Sequence, residues 1–586
     1  MTNHPTKRLL NAPEDIVTEA LAGMIAAHPD ILALEGPTGR AVVAVDGPRD
    51  GKVGIVIGGG SGHEPAFAGY VGRGLADAAA VGNVFASPGP QQIMDAARAI
   101  DGGAGVLFLY GNYTGDVMNF DMAVEACAAE GIPARSLAVT DDVASAPRDR
   151  AAERRGIAGD FFVFKIAGAA ADAGRDLEGC LAAARAANAA TRTMGVALTP
   201  CAMPQTGQAH FAIAPDRMEI GMGIHGEPGM RSAPVGRADD VTDELLEAAI
   251  TDLGVQAGDK VAVLVNGPGA TGLLELYVMN RRVAEVLSER DIAVHRTWVG
   301  EYCTSLDMAG ASITLMRLND DLTALLDRPC RTATLTVDDA PAPAARRERR
   351  AVRNRVEDAL EQDLSVLATD GTITPQIFRD MMRGAAKAIR VKREWLSQLD
   401  GVIGDGDHGI TMDIGWTAIS NVLDDAPADA TITALCNRMS RAFLDAVGAS
   451  TGPLYASAFH SAGNAVADRL NLDGPAMAAW IKGICDGILS RGGAKLDDKT
   501  MIDAWLPAAE AAMTHTADPQ TALQVAAEAA ERGRDRTAQL ESRRGRSAKL
   551  GVRSLGHVDP GAASAHLILT AMMLWTRQAP KPDREC

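Results

Sequence analysis

The chain has 586 residues, 47% of them apolar and only 4% aromatic, with a formal net charge of −18 at pH 7. That length exceeds a single hydrophobic core and calls for roughly two to four domains. The acidic balance excludes a nucleic-acid partner, because phosphate-backbone binding needs a basic face. Eight scattered cysteines with no C-x-x-C pair suit neither a zinc site nor a disulfide framework. The start lacks the apolar core of a signal peptide, and no run of about 18 apolar residues could span a bilayer, so a cytoplasmic protein is expected.

Residues 40–330 alternate short β-branched runs with longer helical patterns. The spacing predicts strands at 41–45, 53–57, 105–110, 136–139, 194–198, 260–265 and 291–297, and helices at 117–131, 166–190, 240–253 and 272–286. Such alternation implies a largely parallel sheet with its ligands at the carboxyl ends of strands. A region 1–335 is therefore read as α/β, in two lobes split near 195. The Pro-Ala and charge-rich stretch 336–353 reads as a linker. Region 354–586 is all-helical, with patterns at 355–369, 375–392, 410–423, 431–447, 453–469, 476–490, 500–515, 519–533 and 560–576.

The strand at 53–57 runs into Gly58-Gly59-Gly60-Ser61-Gly62-His63-Glu64-Pro65. A dinucleotide fingerprint would need glycine where His63 stands, so the remaining reading is a backbone nest ending in a candidate general base. The strand at 105–110 leads likewise to Gly111-Asn112-Tyr113-Thr114-Gly115-Asp116, where Asp116 can orient or accept a proton. His225 lies in Gly221-Met222-Gly223-Ile224-His225-Gly226-Glu227-Pro228-Gly229, exposed by glycines on both sides. A lone histidine is more often structural, and His210, His295, His460, His515 and His566 are read that way.

Asp400, Asp405 and Asp407 crowd a glycine-rich turn between two predicted helices. Carboxylates this close repel unless a cation sits among them, and magnesium takes a few carboxylates while leaving room for phosphate oxygens. Calcium is an alternative, although the twelve-residue EF-hand spacing is missing. His408, Gly409 and Thr411 lead into a helix N-terminus, which favours phosphate. The turns around Ser450, Thr451 and Gly452, around Thr500 and Met501, and around Asp559 and Gly561 are further phosphate or nucleotide candidates, each weak alone because these residue types are ordinary caps.

These motifs resemble the dihydroxyacetone kinase family in its single-chain ATP-dependent form. Eight occur in the family's order: G-G-G-S-G-H-E-P, N-Y-T-G-D, G-x-G-I-H-G-E-P-G, T-S-L-x-M-A-G, G-D-G-D-H-G, S/T-G-P-L-Y, D-K-T-M-x-D and D-P-G-A. The resemblance implies a two-lobed α/β ketose region and a C-terminal barrel of antiparallel helices that holds ATP. It implies that His225 captures the ketone carbonyl as a covalent hemiaminal, which selects ketoses over polyols. His63 and Asp116 would handle the proton of the attacking hydroxyl, with Gly59, Gly60, Ser61, Gly62 and Gly111 around the substrate. Asp400, Asp405 and Asp407 would hold a pair of magnesium ions on the ATP phosphates. Arg553 joins the nucleotide candidates, and a homodimer is what the family suggests.

Three departures stand out. Gly111 replaces the family's substrate-contacting lysine, which is expected to leave room for a four-carbon ketose such as erythrulose. Lys549-Leu550-Gly551-Val552-Arg553 replaces Y-L-G-E-R, and Leu496-Asp497-Asp498-Lys499-Thr500 replaces P-G-D-K-T. Neither nucleotide-side change touches the metal aspartates. Two other activities fit parts of the pattern: a lyase forming cyclic FMN from the helical half, and a non-catalytic ketose sensor.

Overall fold

The computed structural model describes residues 7–204, 212–227, 229–338, 367–544 and 546–578. The chain divides into two compact units, Met1–Arg346 and Arg347–Cys586. Most of the expected linker, from 339 on, lies outside the described residues, as do His210, Pro228 and the greater part of the helix expected at 355–369. Residues Thr336–Val337 are not linker but a short strand pairing with Cys330–Thr332.

In the first unit, one six-stranded sheet runs in the order Leu32–Glu35, Ala41–Ala44, Ala78–Val84, Gly54–Ser61, Val106–Gly111, Ala134–Val139. Its last four strands are mutually parallel and its first two antiparallel. The residues facing both layers, such as Ile55, Val56, Ile57, Leu107, Phe108 and Leu109, are fully buried, as a covered parallel sheet requires.

The second sheet departs from expectation. Its order is Arg231–Pro234, Arg217–Ile220, Thr191–Ala197, Gly310–Leu318, Lys260–Asn266, Ala293–Gly300, and only the last pair is parallel. The strand Gly310–Leu318 enters between Thr191–Ala197 and Lys260–Asn266 and runs against both. A buried β-branched run reads the same in either direction, so hydrophobic pattern alone could not give this polarity.

The helix expected at 166–190 is two helices, Asp160–Asp172 and Leu177–Ala189. Gly174 at φ +80° breaks the first, and the Asp176 carboxylate accepts from the Gly179 N–H at 2.8 Å to cap the second. Helix Asp160–Asp172 is buried on every side, because Phe161, Phe162, Val163 and Phe164 share one apolar cluster with residues of both sheets, including Ile57, Leu264 and Met316.

The second unit contains nine α-helices among its described residues. Eight of them pack each on the next from Pro375–Val391 to Pro560–Gln578, and the last returns onto the first. Trp416, Trp480 and Trp505 fill the shared core. The helix Arg393–Ile403 was not expected. It follows Pro375–Val391 with only Lys392 between, so its amphipathic pattern merges with that of its predecessor. No described helix is long and apolar enough to cross a membrane.

Phe164→Ala should lower the stability of the α/β unit by about 3–5 kcal/mol. Urea unfolding followed by hydrogen exchange checks this; a loss below about 1 kcal/mol would mean that this helix is not the shared core.

Candidate active site

Two parallel strands of the first sheet end side by side. Gly54–Ser61 delivers Gly62 and His63, and Val106–Gly111 delivers Asn112 and Tyr113. His225 comes from the loop that follows strand Arg217–Ile220 of the second sheet. The two imidazoles meet Nε2 to Nε2 at 3.0 Å, with their planes 87° apart.

The other nitrogen of each ring faces an acceptor. His63 Nδ1–H donates to the Thr304 carbonyl at 2.7 Å, and His225 Nδ1–H donates to Glu227 Oε1 at 3.2 Å. With both Nδ1 atoms carrying hydrogen, the Nε2 contact requires a proton between the rings. Burial, reinforced by His225, pulls the His63 imidazole down to about 3, so His63 rests neutral. Burial pushes the Glu227 carboxyl up, but the hydrogen bond and charge of His225 outweigh it and bring Glu227 to about 2. The Tyr113 ring stands edge-on to His225 at 4.6 Å, and Phe85 packs against both histidines.

Asp116 lies in the first turn of helix Thr114–Ala129 and is buried. Burial raises its carboxyl to about 6, against the opposing Ser87 hydrogen bond and His225 charge. Its Oδ1 has no hydrogen-bond partner among the described residues. A buried carboxyl of that kind, open on one oxygen, is suited to accept a proton.

The glycine loop differs from a free nest. The strand continues to Ser61, whose hydroxyl donates to the Gly82 carbonyl at 2.8 Å. The Gly62 N–H donates to the carboxylate of Glu64, at 3.0 Å to Oε2. Gly62 needs its φ of +99°, while side chains at Gly59 or Gly60 would collide with Phe67 or with the backbone at Phe85–Ala86. These glycines therefore make room for Phe67 and for Phe85, and the Phe85 ring packs on His63.

Gly111 does not open the space expected of it. A Cβ there would sit 3.2 Å from the Gly156 carbonyl oxygen, 3.2 Å from the Tyr113 ring and 3.4 Å from Asp160 Oδ2. A Cβ on residue 156 would lie 2.6 Å from the Gly111 Cα, so the two backbones pack directly on each other. Asp160 is itself buried with Oδ1 unpartnered among the described residues, and burial, then Asp141 and Asp116, hold its carboxyl well above the usual range.

In the helical unit, oxygens of Asp400, Asp405 and Asp407 lie within 4.8 Å of one another. Asp400 is not in the turn but in the last turn of helix Arg393–Ile403, and its Oδ2 accepts from the His408 N–H at 3.2 Å. The three aspartates border a cavity of about 730 Å³ that is also lined by His408, Ser450, Thr451, Thr500, Met501, Asp559 and Gly561. Gly409, Thr411, Gly452 and Arg553 do not line it. Gly409 and Gly452 serve packing, since a Cβ would strike the Arg393 and Val447 carbonyls, and Arg553 is exposed. The loop before helix Ile502–Thr514 is held by the Asp503 carboxylate, which accepts from the N–H groups of Asp497 at 2.6 Å and Thr500 at 2.7 Å. Burial, with Asp503 and Asp400 nearby, raises the Asp559 carboxyl to about 7. Crowded carboxylates beside a cavity, with Arg491, Lys499 and Arg544 on its wall, fit a hard divalent cation and a polyphosphate.

The Dak1 domain model matches residues 22–334 and the DAK2 domain model matches residues 402–574. The chain is 38% identical to the L-erythrulose kinase of Pectobacterium atrosepticum, over 96% of this chain and 95% of that one. It is also 38% identical to the L-erythrulose 1-kinase of Mycolicibacterium smegmatis, over 96% and 98%. The crystal structure of the C. freundii dihydroxyacetone kinase in complex with AMP-PNP and Mg2+ aligns with a TM-score of 0.59 at 28% identity, covering 97% of this chain and 99% of that one. The chain belongs to the dihydroxyacetone kinase family.

Several residues of this family member escaped the reading of its sequence. Glu227 and Thr304 stand inside recognisable motifs, yet only the fold shows them fixing the two imidazoles. Arg491 closes a helix and Arg544 sits in a loop, with no periodic or motif signal to mark either. Lys499 is buried, and its ammonium donates to the carbonyls of Leu540 at 3.1 Å and Ser554 at 2.5 Å.

Asp400→Asn should weaken divalent-cation binding at least ~10-fold, since it removes a donor and loosens the His408 turn. Calorimetric titration with Mg2+ or Mn2+ measures this, and unchanged affinity would remove Asp400 from the metal site.

Proposed function

We propose that this protein transfers the terminal phosphoryl group of ATP to a terminal hydroxyl of a short-chain ketose, with four-carbon erythrulose as the preferred acceptor. The observation that carries the reading is the imidazole pair: two Nε2 atoms 3.0 Å apart, each ring fixed through Nδ1, with the Asp116 carboxyl coupled to it. The two relatives named as erythrulose kinases support the four-carbon acceptor.

The chemistry follows from the proton between the rings. When a ketose enters, the shared proton moves onto His63 Nε2, which frees the His225 Nε2 lone pair to attack the carbonyl carbon, and His63 then delivers the proton to the carbonyl oxygen. The product is a hemiaminal carrying a hydroxyl, with the single positive charge now on the alkylated His225 ring. Charge is conserved, and the Glu227 carboxylate faces it before and after. The tether holds the terminal hydroxyl still, which lowers the entropic part of the barrier. Asp116 accepts that hydroxyl's proton, and His63, kept neutral, can hold a hydrogen bond without competing for charge. Glycerol lacks a carbonyl and cannot be captured.

In the helical unit, Asp400, Asp405 and Asp407 would hold a pair of magnesium ions, while Arg491 and Arg544 on the cavity wall would meet the phosphates. Bound MgATP supplies the phosphoryl group and neutralises its charge. The reading includes a cytoplasmic homodimer. Exposed Leu273, Leu274, Tyr277 and Val278 on one helix support self-association, and sedimentation of the intact chain as a monomer would remove that part.

The test is ADP release with magnesium and ATP over dihydroxyacetone, D- and L-erythrulose, and glycerol. Erythrulose should give the highest kcat/KM and glycerol none. Equal turnover of glycerol would sink carbonyl capture. His225→Ala should abolish ketose turnover and leave nucleotide binding unchanged. With Asp116 as base, kcat/KM should fall as pH drops through about 6, since its carboxyl becomes protonated there. Asp116→Asn should remove that limb; a variant that keeps both rate and limb would refute the assignment.

A further inference from the structure

We propose that Arg155 is the positioning residue of ketose capture, clamping the His225 loop and the Glu227 carboxylate so that His225 keeps Nε2 directed at the carbonyl. The proposal rests on the ketose-capture reading above.

Arg155 follows a short 3-10 turn, Arg148–Glu153, and precedes helix Asp160–Asp172. Only 15% of its side chain is exposed, and its guanidinium spans three groups. Nε donates to Asp142 Oδ2 at 2.9 Å, Nη2 donates to the Gly221 carbonyl at 3.1 Å, and Nη1 lies 3.9 Å from Glu227 Oε2. Asp142 belongs to the segment that ends strand Ala134–Val139 of the first sheet and bridges to Thr193 of the second. Gly221 and Glu227 bracket His225 in the second lobe. One planar cation thus ties the frame of both sheets to the two ends of the histidine loop. Lysine, a point charge, cannot reproduce that fork.

The surrounding glycines make the clamp possible. A side chain at Gly223 would fall on both Arg155 Nη1 and Glu227 Oε2. Gly111 and Gly156 lie so close together that a Cβ on residue 156 would press on the Gly111 Cα. That contact brings the backbone at 155–157 against the end of strand Val106–Gly111. Gly111 thus accommodates the close approach of the segment that carries Arg155. The Glu227 carboxylate also closes a turn within the loop, because Oε2 accepts the His225 backbone N–H at 2.9 Å. Among the described residues, the hydrogen bonds to the Glu227 side chain come from His225 of its own loop, and Arg155 is its ion pair outside that loop.

The test uses the full-length protein and ketose labelled with 13C at its carbonyl carbon. NMR reads the hemiaminal directly, because the ketone carbon moves far upfield when it becomes tetrahedral, and turnover is not required. Wild-type protein should show the tetrahedral signal at saturating erythrulose or dihydroxyacetone. Arg155→Gln should weaken capture at least tenfold, Arg155→Lys should fall in between, and added ethylguanidine should restore part of the signal in Arg155→Gln. Both variants should keep wild-type MgATP binding and thermal unfolding. Wild-type capture in Arg155→Gln overturns the proposal. A loss that ethylguanidine does not restore and that tracks unfolding of the α/β unit also overturns it, as a purely structural role. Absence of a tetrahedral signal in the wild type itself with every ketose would overturn the capture reading, and this inference with it.

Discussion

Two imidazoles held Nε2 to Nε2 at 3.0 Å by residues of different sheets set the terms for the α/β unit. The contact is repulsive unless a proton lies between the rings, and that proton needs a counter-charge that the rings cannot supply. Glu227 supplies it from the histidine loop, and the Thr304 carbonyl fixes the partner ring from the loop after strand Ala293–Gly300. Neither lobe can build the site alone. The buried helix Asp160–Asp172, packed into both sheets, keeps the two lobes in register for this short contact.

Glycine in this site serves close packing more than ligand approach. Gly59 admits Phe67, while Gly60 and Gly62 admit Phe85, whose ring packs on His63; burial keeps that imidazole neutral. Gly111 and Gly156 admit each other, and Gly223 admits a guanidinium beside a carboxylate. Desolvation then does the electrostatic work: it depresses His63, raises Asp116 and strengthens the pull between His225 and Glu227. The helical unit is built differently. Its three carboxylates are crowded and two of them are exposed, an arrangement that suits a hard cation taken from solution.

The loops of the two candidate sites were legible in the sequence because tight turns demand particular residues. Gly62 with its positive φ, the aspartates of Gly404–Gly409 and the Ser450-Thr451 helix start all leave local signatures. The helical character of the C-terminal half was legible from its period, as were seven strands of the N-terminal half. Strand direction was not: Gly310–Leu318 turns the second sheet antiparallel without altering its apolar pattern. Helix Arg393–Ile403, which carries Asp400, was hidden by the absence of a loop before it.

Gly111 shows where reasoning from residue type reaches its limit. Replacing a long side chain with hydrogen suggests an empty volume, but volume in a folded core is settled by whatever packs next to it. Here the neighbour is the backbone at Gly156, which lies 45 residues further along the chain (156 − 111). Its backbone packs on Gly111, and the preceding residue, Arg155, lies 3.9 Å from Glu227 Oε2. A loss that reads locally as a missing cation thus coincides with a different cation held on the far side of the histidine loop. Ion pairs of this kind join residues with no fixed sequence separation, so they leave no motif, and only the fold assembles them.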